Sequence, residues 1–534
     1  MKVNTIKNCI FACDIEPSAV DIAKLRLWLS IVIDDEITEE VGNGEFDAHT
    51  KPRQLPNLDC NIICGDSLMT AFKGIELITT SGLLGNDDGV QQSLFQTGVD
   101  ELLEKLISLQ DKLFFTKEHA EKKEIKENIQ SIYSGIILEQ FGSNSELRDA
   151  YIDSLDDSSE PFVLWQLFFP RVFRDNGGFD IVIGNPPYRL CQPSNTDEYH
   201  LNYYKDKYNV ASYKIDLFHL FFEKGINLLR DGGSLSYITP NTYLTNKYIK
   251  PLRKFILDSC SVKKIVNHDK VFDAASVDTA TIIMTKEKNS ENEISILQST
   301  SFVFEEICKK KQADWETDND YIFNINKEDV VKFENCVSLG DICKTYFGIQ
   351  AYDRKSSISE EKINDKYLPL IDGADIHTYE YSMPKIFFNY IPENIKSGGD
   401  WKVYSKDRVV VRQIGQIPVV GLCEKNILAS NTLYSVWPKD DKYELKYILA
   451  CLNSEIIRSY WLAKYSDNKA LFPKIKGFQL KELPIPKVSI SQQREVVELV
   501  DKILERKQID SEVDISEIEN EINNHLRNHY GQKQ

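Results

Sequence analysis

The stretch Phe179-Asp180-Ile181-Val182-Ile183-Gly184-Asn185-Pro186-Pro187-Tyr188 contains the pattern that decides the fold. Its β-branched run, Ile181 to Ile183, is typical of a strand buried on both faces of a parallel sheet. Asn185 follows at the carboxyl end of this strand, the side of an open α/β sheet where ligands bind. Each of the two prolines fixes φ and removes a backbone donor, so the turn is stiff. The stretch therefore predicts a rigid loop suited to a flat ring with hydrogen-bonding groups.

The side chains of this loop suit an amine-bearing ring. The amide oxygen of Asn185 and the carbonyl of Pro186 can both accept from one exocyclic amino group, which directs the nitrogen lone pair toward an electrophile. Tyr188 can stack on the ring that carries the amine. A proline turn that merely ends a strand is the alternative interpretation. We expect Asn185, Pro186, Pro187 and Tyr188 to be catalytic residues.

Two earlier strands each end in an acid. Residues 10–14 read as a strand that ends at Asp14, and Pro17 opens the helix that follows. Residues 61–64 read as a second strand, followed by Gly65-Asp66-Ser67. This is the βαβ pattern of a parallel sheet. Asp14 suits a clamp on ribose hydroxyls, and Asp66 could accept from an adenine amino group. The alternative is that each acid only caps a helix or loop.

Composition favours a cytoplasmic globular protein with reduced thiols. The 534 residues are 42% hydrophobic and 27% charged, with no run of 18 apolar residues and no secretory signal. The 11 cysteines are an odd number, scattered along the chain. We expect no zinc site at the cysteine pairs 9/13 and 60/64, because both pairs lie on predicted strands, where residues i and i+4 are about 13 Å apart.

The distribution of charge along the chain is compatible with nucleic acid as a binding partner. The net charge of −18 argues mildly against it. However, residues 71–160 hold 18 acids against 8 bases, whereas residues 185–290 hold 15 bases against 11 acids. Local charge decides contact with a phosphate backbone, because salt screens fields beyond about 10 Å. The region around the proline loop is therefore compatible with DNA.

The pattern of elements predicts an α/β domain followed by an α+β domain. Helical periodicity over residues 99–140 indicates a helical hairpin inserted at about residues 70–160. We expect the first domain over residues 1–288, a linker region over 289–334, a second domain over 335–490 and terminal helices over 491–534. His219 and Phe221 lie on a predicted helix that begins near Asp216, where His219 reads as a satisfied core residue.

At these residues the chain resembles the TaqI-like N6-adenine DNA methyltransferases, especially the methylase part of type IIG restriction–modification enzymes. The resemblance covers nearly the whole chain. It implies a Rossmann-like class I methyltransferase domain, a C-terminal target-recognition domain, S-adenosyl-L-methionine as cofactor and double-stranded DNA as partner. It implies that the cofactor contacts Asp14, Ile15, Asp66, Ser67 and Phe221. Tyr188 and Phe272 would stack on the flipped target adenine. Further matching marks are residues 231–233, 409–412, 452–454, 472–475, 483–486 and 518–531.

One departure from the family pattern concerns the glycine-rich first motif. Only 13 residues precede Asp14, and none forms that motif. The strand that carries it lies centrally in the family's sheet, so the resemblance implies an N-terminally incomplete domain with a gap in the sheet. We therefore expect a truncated or split enzyme whose partner is a separate N-terminal methylase or nuclease polypeptide.

Three alternatives stay open. A protein glutamine methyltransferase shares the Asn-Pro-Pro-Tyr loop, because an amide nitrogen poses the same chemical problem, but the long second domain speaks against it. A DNA-binding remnant would have the recognition domain without cofactor binding. A restriction nuclease acting in its own right would need a metal-binding acid and lysine motif that we do not find, and the methyl transfer itself requires no metal.

Overall fold

The computed structural model describes residues 2–33, 56–77, 94–155, 162–212, 214–268, 271, 278–289, 291–301, 303–327, 330–465 and 474–531. The chain divides into two compact units, Met1–Phe323 and Asn324–Gln534. None of the helices within the described residues is both long and apolar enough to span a membrane.

The first unit mixes helices and strands along its whole length. Its helices are α1 (Lys2–Cys9), α2 (Pro17–Ile33), α3 (Leu94–Phe115), α4 (His119–Gln140), α5 (Ser145–Ser154), α6 (Trp165–Phe168), α7 (Pro170–Asn176), α8 (Glu198–Lys207), α9 (Leu217–Leu228), α10 (Thr242–Thr245), α11 (Lys250–Ser259) and α12 (Gln312–Glu316). Its strands are β1 (Ala12–Asp14), β2 (Ile62–Cys64), β3 (Ala71–Phe72), β4 (Ile75–Glu76), β5 (Phe179–Gly184), β6 (Leu229–Pro240), β7 (Ser261–His268), β8 (Thr279–Thr285), β9 (Glu293–Thr300) and β10 (Val303–Lys311).

The predicted βαβ unit is confirmed at the start of the chain. Strands β1 and β2 pair in parallel, with Ala12 opposite Ile62 and Asp14 opposite Cys64. Pro17 is the first residue of α2, where its missing N–H costs nothing. The unit has a small core of its own, in which Val20 and Ile31 of α2 join Ile62 of β2. Both acids therefore lie at the carboxyl ends of neighbouring parallel strands.

The helical pair predicted over residues 99–140 is present as α3 and α4. Three residues connect the two helices. Lys112 forms an ion pair with Glu121 at 2.8 Å, and the Gln110 amide donates to the Tyr133 hydroxyl at 3.0 Å. These contacts join the end of one helix to the start of the next, as in an antiparallel hairpin.

The larger sheet of the first unit is mixed rather than parallel. Its strand order is β10-β9-β7-β8-β6-β5. Strands β5 and β6 pair in parallel, as do β7 and β9, whereas β8 is antiparallel to both of its neighbours, β6 and β7. The purely parallel expectation is therefore wrong for this sheet, and β5 is its outermost strand.

Residues 231–233, one of the marks that match the family, lie inside a strand. Helix α9 ends at Leu228, and strand β6 begins at the next residue. Phe179 pairs with Leu229 but Ile181 pairs with Ser234, so residues 230–233 form an irregular excursion within β6. Gly232 supplies the positive φ of 74° that this excursion requires.

Residues 289–334 were expected to form a linker, but part of this region is sheet. Strands β9 and β10 are the last two strands at one end of the six-stranded sheet. The alternate residues Ile294 and Ile296 of β9 are fully buried. A charged run, Lys286 to Glu293, directly precedes these two isoleucines in the sequence, so the short apolar alternation was missed.

The second unit is α+β. Its strands are β11 (Cys336–Ser338), β12 (Cys343–Phe347), β13 (Gln350–Ala351), β14 (Ile358–Ser359), β15 (Tyr367–Ile371), β16 (Ile386–Asn389), β17 (Ile395–Ser397), β18 (Arg408–Arg412), β19 (Val420–Cys423), β20 (Leu428–Ala429), β21 (Leu433–Pro438) and β22 (Pro484–Pro486). Its helices are α13 (Leu339–Ile342), α14 (Arg354–Ser357), α15 (Trp401–Tyr404), α16 (Leu445–Asn453), α17 (Glu455–Tyr465), α18 (Gly477–Lys481), α19 (Ile490–Ile509) and α20 (Ser516–His529).

Strand β18 organises the core of the second unit. Val409 and Val411 face one apolar cluster, which includes residues of α16, α19 and α20, and Val410 faces the other. All three valines are fully buried. The terminal helices predicted over residues 491–534 are present as α19 and α20.

Candidate functional site

The Asn-Pro-Pro-Tyr loop begins directly after β5. Asn185 and Pro187 are exposed, Pro186 is buried and Tyr188 is half-buried. The parallel pairing of β5 with β6 runs to the last residue of the strand, where Gly184 lies opposite Tyr237. The loop therefore presents the Asn185 amide to solvent from a fixed strand end while the first proline anchors it in the protein.

Tyr188 ties the loop to the end of the neighbouring strand. Its hydroxyl donates to the carbonyl oxygen of Ile238 in β6 at 3.2 Å. Burial raises the pKa of Tyr188 to about 12, so the phenol stays neutral and keeps its proton for this bond. The ring is consequently held in place beside Asn185.

The residues after the loop are held by the start of α9. The Cys191 amide donates to the carbonyl of Ile215 at 2.8 Å, and the Leu217 amide donates to the carbonyl of Arg189 at 3.0 Å. Leu190 and Asp216 form an isolated antiparallel bridge between these bonds. The loop is thus fixed on both sides by backbone contacts, as the two prolines predict.

The sequence interpretation of β5 as a strand buried on both faces is wrong. Ile181 is 68% exposed and Ile183 is 79% exposed. The strand hydrogen-bonds to β6 alone, and these two side chains share the face that nothing in the described residues covers. A β-branched run indicates a strand, but it does not tell how many neighbours the strand has.

The carboxylates of Asp14 and Asp66 both take a local backbone bond. Oδ1 of Asp14 accepts from the Glu16 amide, and Oδ1 of Asp66 accepts from the Leu68 amide, each at 2.9 Å. Both acids therefore act as local caps, the alternative considered from the sequence. An ionised carboxylate has further acceptor capacity, so this role leaves room for a ligand hydroxyl or amine. Asp14 is exposed and Asp66 is half-buried.

Lys224 lies beside Asp66 and was not singled out from the sequence. Burial raises the pKa of Asp66, and the charges of His200 and Lys224 oppose that shift. Burial also lowers the pKa of Lys224 to about 8, against the opposing effect of Asp66 and Glu76. Phe221 lies three residues before Lys224 on α9 and so shares its helix face. Asp66 thus lies within electrostatic range of the face of α9 that carries Phe221.

The other predicted cofactor residues lie next to these acids. Ile15 is 63% exposed, and its carbonyl accepts from the thiol of Cys64 at 3.6 Å. Ser67 is half-buried, and its carbonyl accepts from the Trp165 indole at 3.5 Å. Phe272 lies outside the described residues, so its stacking role stays a prediction.

His219 is buried, as expected, but it is not satisfied. It is 5% exposed, and its Nε2 has no hydrogen-bond partner among the described residues. Burial lowers the pKa of His219 to about 4, which keeps the imidazole neutral. Asp216, three residues earlier, has a buried Oδ1 to which no group in the described part of the chain donates, and burial raises the pKa of Asp216 to about 6.

The cysteine pairs are placed differently from the sequence expectation. Cys13 and Cys64 lie on β1 and β2, but Cys9 ends α1 and Cys60 lies in a turn. The part of the chain that the structure describes contains no group of three His, Cys, Asp or Glu side chains placed to hold a metal ion.

Comparison with known families identifies both units of the chain. Residues 8–272 match the Eco57I restriction-modification methylase family, and residues 368–485 match the TaqI-like C-terminal specificity domain. The chain carries an Eco57I-type methylase domain. The Asn-Pro-Pro-Tyr loop, Asp14 and Asp66 all fall within this methylase domain.

Several named proteins share this methylase domain. RM.MjaORFECS2P of Methanocaldococcus jannaschii, whose name describes a type II restriction enzyme and methyltransferase, is 25% identical over 91% of this chain. RM.Eco57I of Escherichia coli is 30% identical over 26% of this chain, and M.HincII of Haemophilus influenzae is 33% identical over 26%. The matches span 45%, 14% and 28% of these relatives' own lengths.

Among solved structures, the type IIL restriction-modification enzyme MmeI in complex with DNA aligns with a TM-score of 0.49 and 12% identity. The alignment covers 73% of this chain and 60% of MmeI.

Proposed function

We propose that the methylase domain transfers a methyl group from S-adenosyl-L-methionine to the N6 amino group of adenine in duplex DNA, as part of a restriction–modification system. The observation that carries this proposal is the loop at residues 185–188. It combines an exposed amide, a rigid backbone carbonyl and an immobilised aromatic ring at the carboxyl end of a strand. Relatives of the domain are type II methyltransferases by name, which supports the class of reaction.

The loop residues would act by positioning and polarisation. The Asn185 amide oxygen and the Pro186 carbonyl accept the two hydrogens of the target amine, so the nitrogen lone pair points out of the ring plane. Tyr188 stacks on the flipped base and holds its plane, and its bond to Ile238 keeps the ring from rotating away. Fixed acceptors of this kind cost no reorganisation when charge develops on the nitrogen.

The donor set around β1 and β2 fits a nucleoside. Asp14 is exposed with acceptor capacity for a ribose diol, and Asp66 faces the α9 surface where an adenine amine can donate to it. Phe221 would cover the ring, while Ile15 and Ser67 line the approach. The cofactor would supply the electrophilic methyl group. We infer a Rossmann-like class I topology from the order of these strand-end acids, with part of that topology contributed from outside the described residues.

The second unit would select the DNA sequence. It matches a specificity domain, and base selection requires side chains that reach groove edges of the duplex. Phe272 would complete the stacking of the extruded adenine opposite Tyr188.

Methyl transfer to plasmid DNA, followed by mass spectrometry of the digested nucleosides, tests this function. The full-length chain should yield N6-methyladenine, and Asn185→Ala should lower the rate at least about 100-fold, the loss typical for one preorganised polar contact. DNA binding by the variant should stay within about twofold. Asn227→Ala is the matched control, since Asn227 is exposed on α9 away from the loop.

Other results would assign the chain differently. Methylated cytosine, or label transferred to glutamine of a protein substrate, would refute adenine as the target. Calorimetry with S-adenosyl-L-methionine separates an enzyme from a DNA-binding remnant, because a remnant would bind DNA without binding the cofactor. Equal loss of DNA binding and methylation in Asn185→Ala would refute the role of the loop.

A further inference from the structure

Tyrosine hydroxyls tie the region of helix α8 to the chain segment that follows Asp66. The hydroxyl of Tyr208, directly after α8, donates to the Leu68 carbonyl at 2.6 Å. The hydroxyl of Tyr203, within α8, accepts from the Thr70 amide at 3.0 Å and lies 2.7 Å from the Thr70 hydroxyl oxygen. Tyr208 is buried and Tyr203 is half-buried. The chain that follows the proposed catalytic loop therefore contacts the backbone beside a proposed cofactor residue.

The peptide unit that joins Leu68 to Met69 is engaged at both of its polar groups. Its carbonyl accepts from Tyr208, and its N–H, the Met69 amide, faces the carboxylate of Asp66. Burial raises the pKa of Asp66, whereas the amides of Leu68 and Met69 lower it. A hydrogen bond to a peptide carbonyl polarises the N–H of the same peptide. The Tyr208 hydroxyl therefore both holds this peptide and strengthens the amide that faces Asp66.

A buried acid of α9 fixes the chain directly after Tyr208. Glu223 is 3% exposed, and its Oε1 accepts from the Asn209 amide at 3.2 Å and from the Asn209 side chain at 2.9 Å. Its Oε2 accepts from the Val210 amide at 3.0 Å. Burial raises the pKa of Tyr208 well above its ordinary value, so the phenol keeps the proton that it donates. Helix α9, which also carries Phe221, thus helps to hold Tyr208 against the segment after Asp66.

We propose that Tyr208 is a positioning residue that orients the Leu68–Met69 peptide against the Asp66 carboxylate, and thereby sets the acceptor for the adenine amine of the cofactor. This deepens the proposed function and rests on it for the identity of the ligand. Without the hydroxyl, the buried Leu68 carbonyl loses its donor, which favours rotation of the peptide toward another partner. The Met69 amide would then turn away from Asp66, and the carboxylate would lose part of the support that fixes its oxygens.

Tyr203 provides the comparison that separates positioning from simple anchoring. Its hydroxyl bonds to Thr70, one residue beyond the Leu68–Met69 peptide. Loss of either tyrosine hydroxyl removes a contact with the segment after Asp66. Only the loss of the Tyr208 hydroxyl frees the peptide that faces the carboxylate. Tyr203→Phe is therefore the matched control for Tyr208→Phe.

Calorimetry with S-adenosyl-L-methionine on the full chain tests the proposal. Tyr208→Phe should weaken binding about five- to tenfold, the effect of one buried hydrogen bond, whereas Tyr203→Phe should stay within about twofold. In Asp66→Ala, the further change Tyr208→Phe should alter the affinity less than about twofold, because the acceptor through which Tyr208 acts is gone. Glu223→Gln keeps the Tyr208 hydroxyl but loosens residues 209–210, so it should weaken binding in the same direction.

Titration of the Asp66 carboxyl group by NMR tests the same role without cofactor. The signal is assigned in protein with isotope-labelled aspartate, by its absence from Asp66→Asn. Tyr208→Phe should raise the pKa of Asp66 further, because the carboxylate loses amide support. Tyr203→Phe should leave the titration of Asp66 unchanged.

Four outcomes would overturn the proposal. They are an unchanged cofactor affinity in Tyr208→Phe, an unchanged titration of Asp66 in that variant, equal effects of Tyr203→Phe, and additive losses when Tyr208→Phe is combined with Asp66→Ala. A wild-type chain that binds no S-adenosyl-L-methionine would instead refute the proposed function. The NMR titration would still decide the role of Tyr208 in that case, because it uses no cofactor.

Discussion

Replacing Ile183 by alanine should hardly change stability, although Ile183 lies in the strand that leads into the loop at residues 185–188. Ile183 is 79% exposed, so only about a fifth of its side chain is removed from water on folding. A fully buried isoleucine truncated to alanine costs about 2–5 kcal/mol. Scaling by the buried fraction gives about 0.4–1 kcal/mol for Ile183→Ala. Ile265→Ala on β7 should cost about 2–5 kcal/mol, because Ile265 is fully buried in the same sheet.

Urea denaturation followed by circular dichroism measures this difference. The midpoint of the first unit's transition should shift strongly for Ile265→Ala and little for Ile183→Ala, with the denaturant slope unchanged in both. Equal shifts for the two variants would refute the conclusion that the Ile183 side chain lies on an uncovered face of β5. They would mean that Ile183 is covered in solution.

Three further outcomes follow from particular contacts. Burial lowers the pKa of His219 to about 4, against an ordinary value of 6.5. Its contribution to the free energy of unfolding is therefore complete above pH 6.5 and is lost as the pH falls toward 4. The loss reaches about 3 kcal/mol, and His219→Met should flatten that pH dependence in denaturation experiments. The fully buried Arg408 donates to Ser435 Oγ at 3.1 Å and to the Ile427 carbonyl at 2.5 Å. Arg408→Met should therefore destabilise the second unit by about 3 kcal/mol in urea titrations. A loss under about 1 kcal/mol would contradict this expectation. Tyr188→Phe should retain methyl transfer within about tenfold because the ring remains, whereas Tyr188→Ala should lose far more, and identical losses would exclude stacking.

Local patterns predicted much of the fold because their causes are local. The sequence predicted Pro17 at a first helical position, the strands that end at Asp14 and Cys64, and the terminal helices α19 and α20. The stiffness of the loop at residues 185–188 was readable too, since it depends on two prolines and a strand end. The backbone bonds from residues 189–191 to 215–217 add to that stiffness.

Other features could not be predicted because they depend on neighbours distant in sequence. The run Ile181 to Ile183 has the composition of a central strand, yet the strand has one partner. Burial lowers the pKa of Lys224, and the charges of Asp66 and Glu76 oppose that shift. Both acids lie about 150 residues earlier in the chain. The spacing of three between Lys224 and Phe221 was the one signal that pointed to Lys224.

The loop at residues 185–188 and the two acids of the proposed cofactor site are positioned by different parts of the first unit. The loop at residues 185–188 is held by the Ile238 carbonyl of β6 and by the bonds of residues 189–191 to the start of α9. The acids Asp14 and Asp66, by contrast, lie at the carboxyl ends of β1 and β2, which form a separate two-stranded sheet. The proposed cofactor residues and the loop at residues 185–188 can therefore be tested separately, because substitutions at either acid should leave the backbone contacts of the loop unchanged.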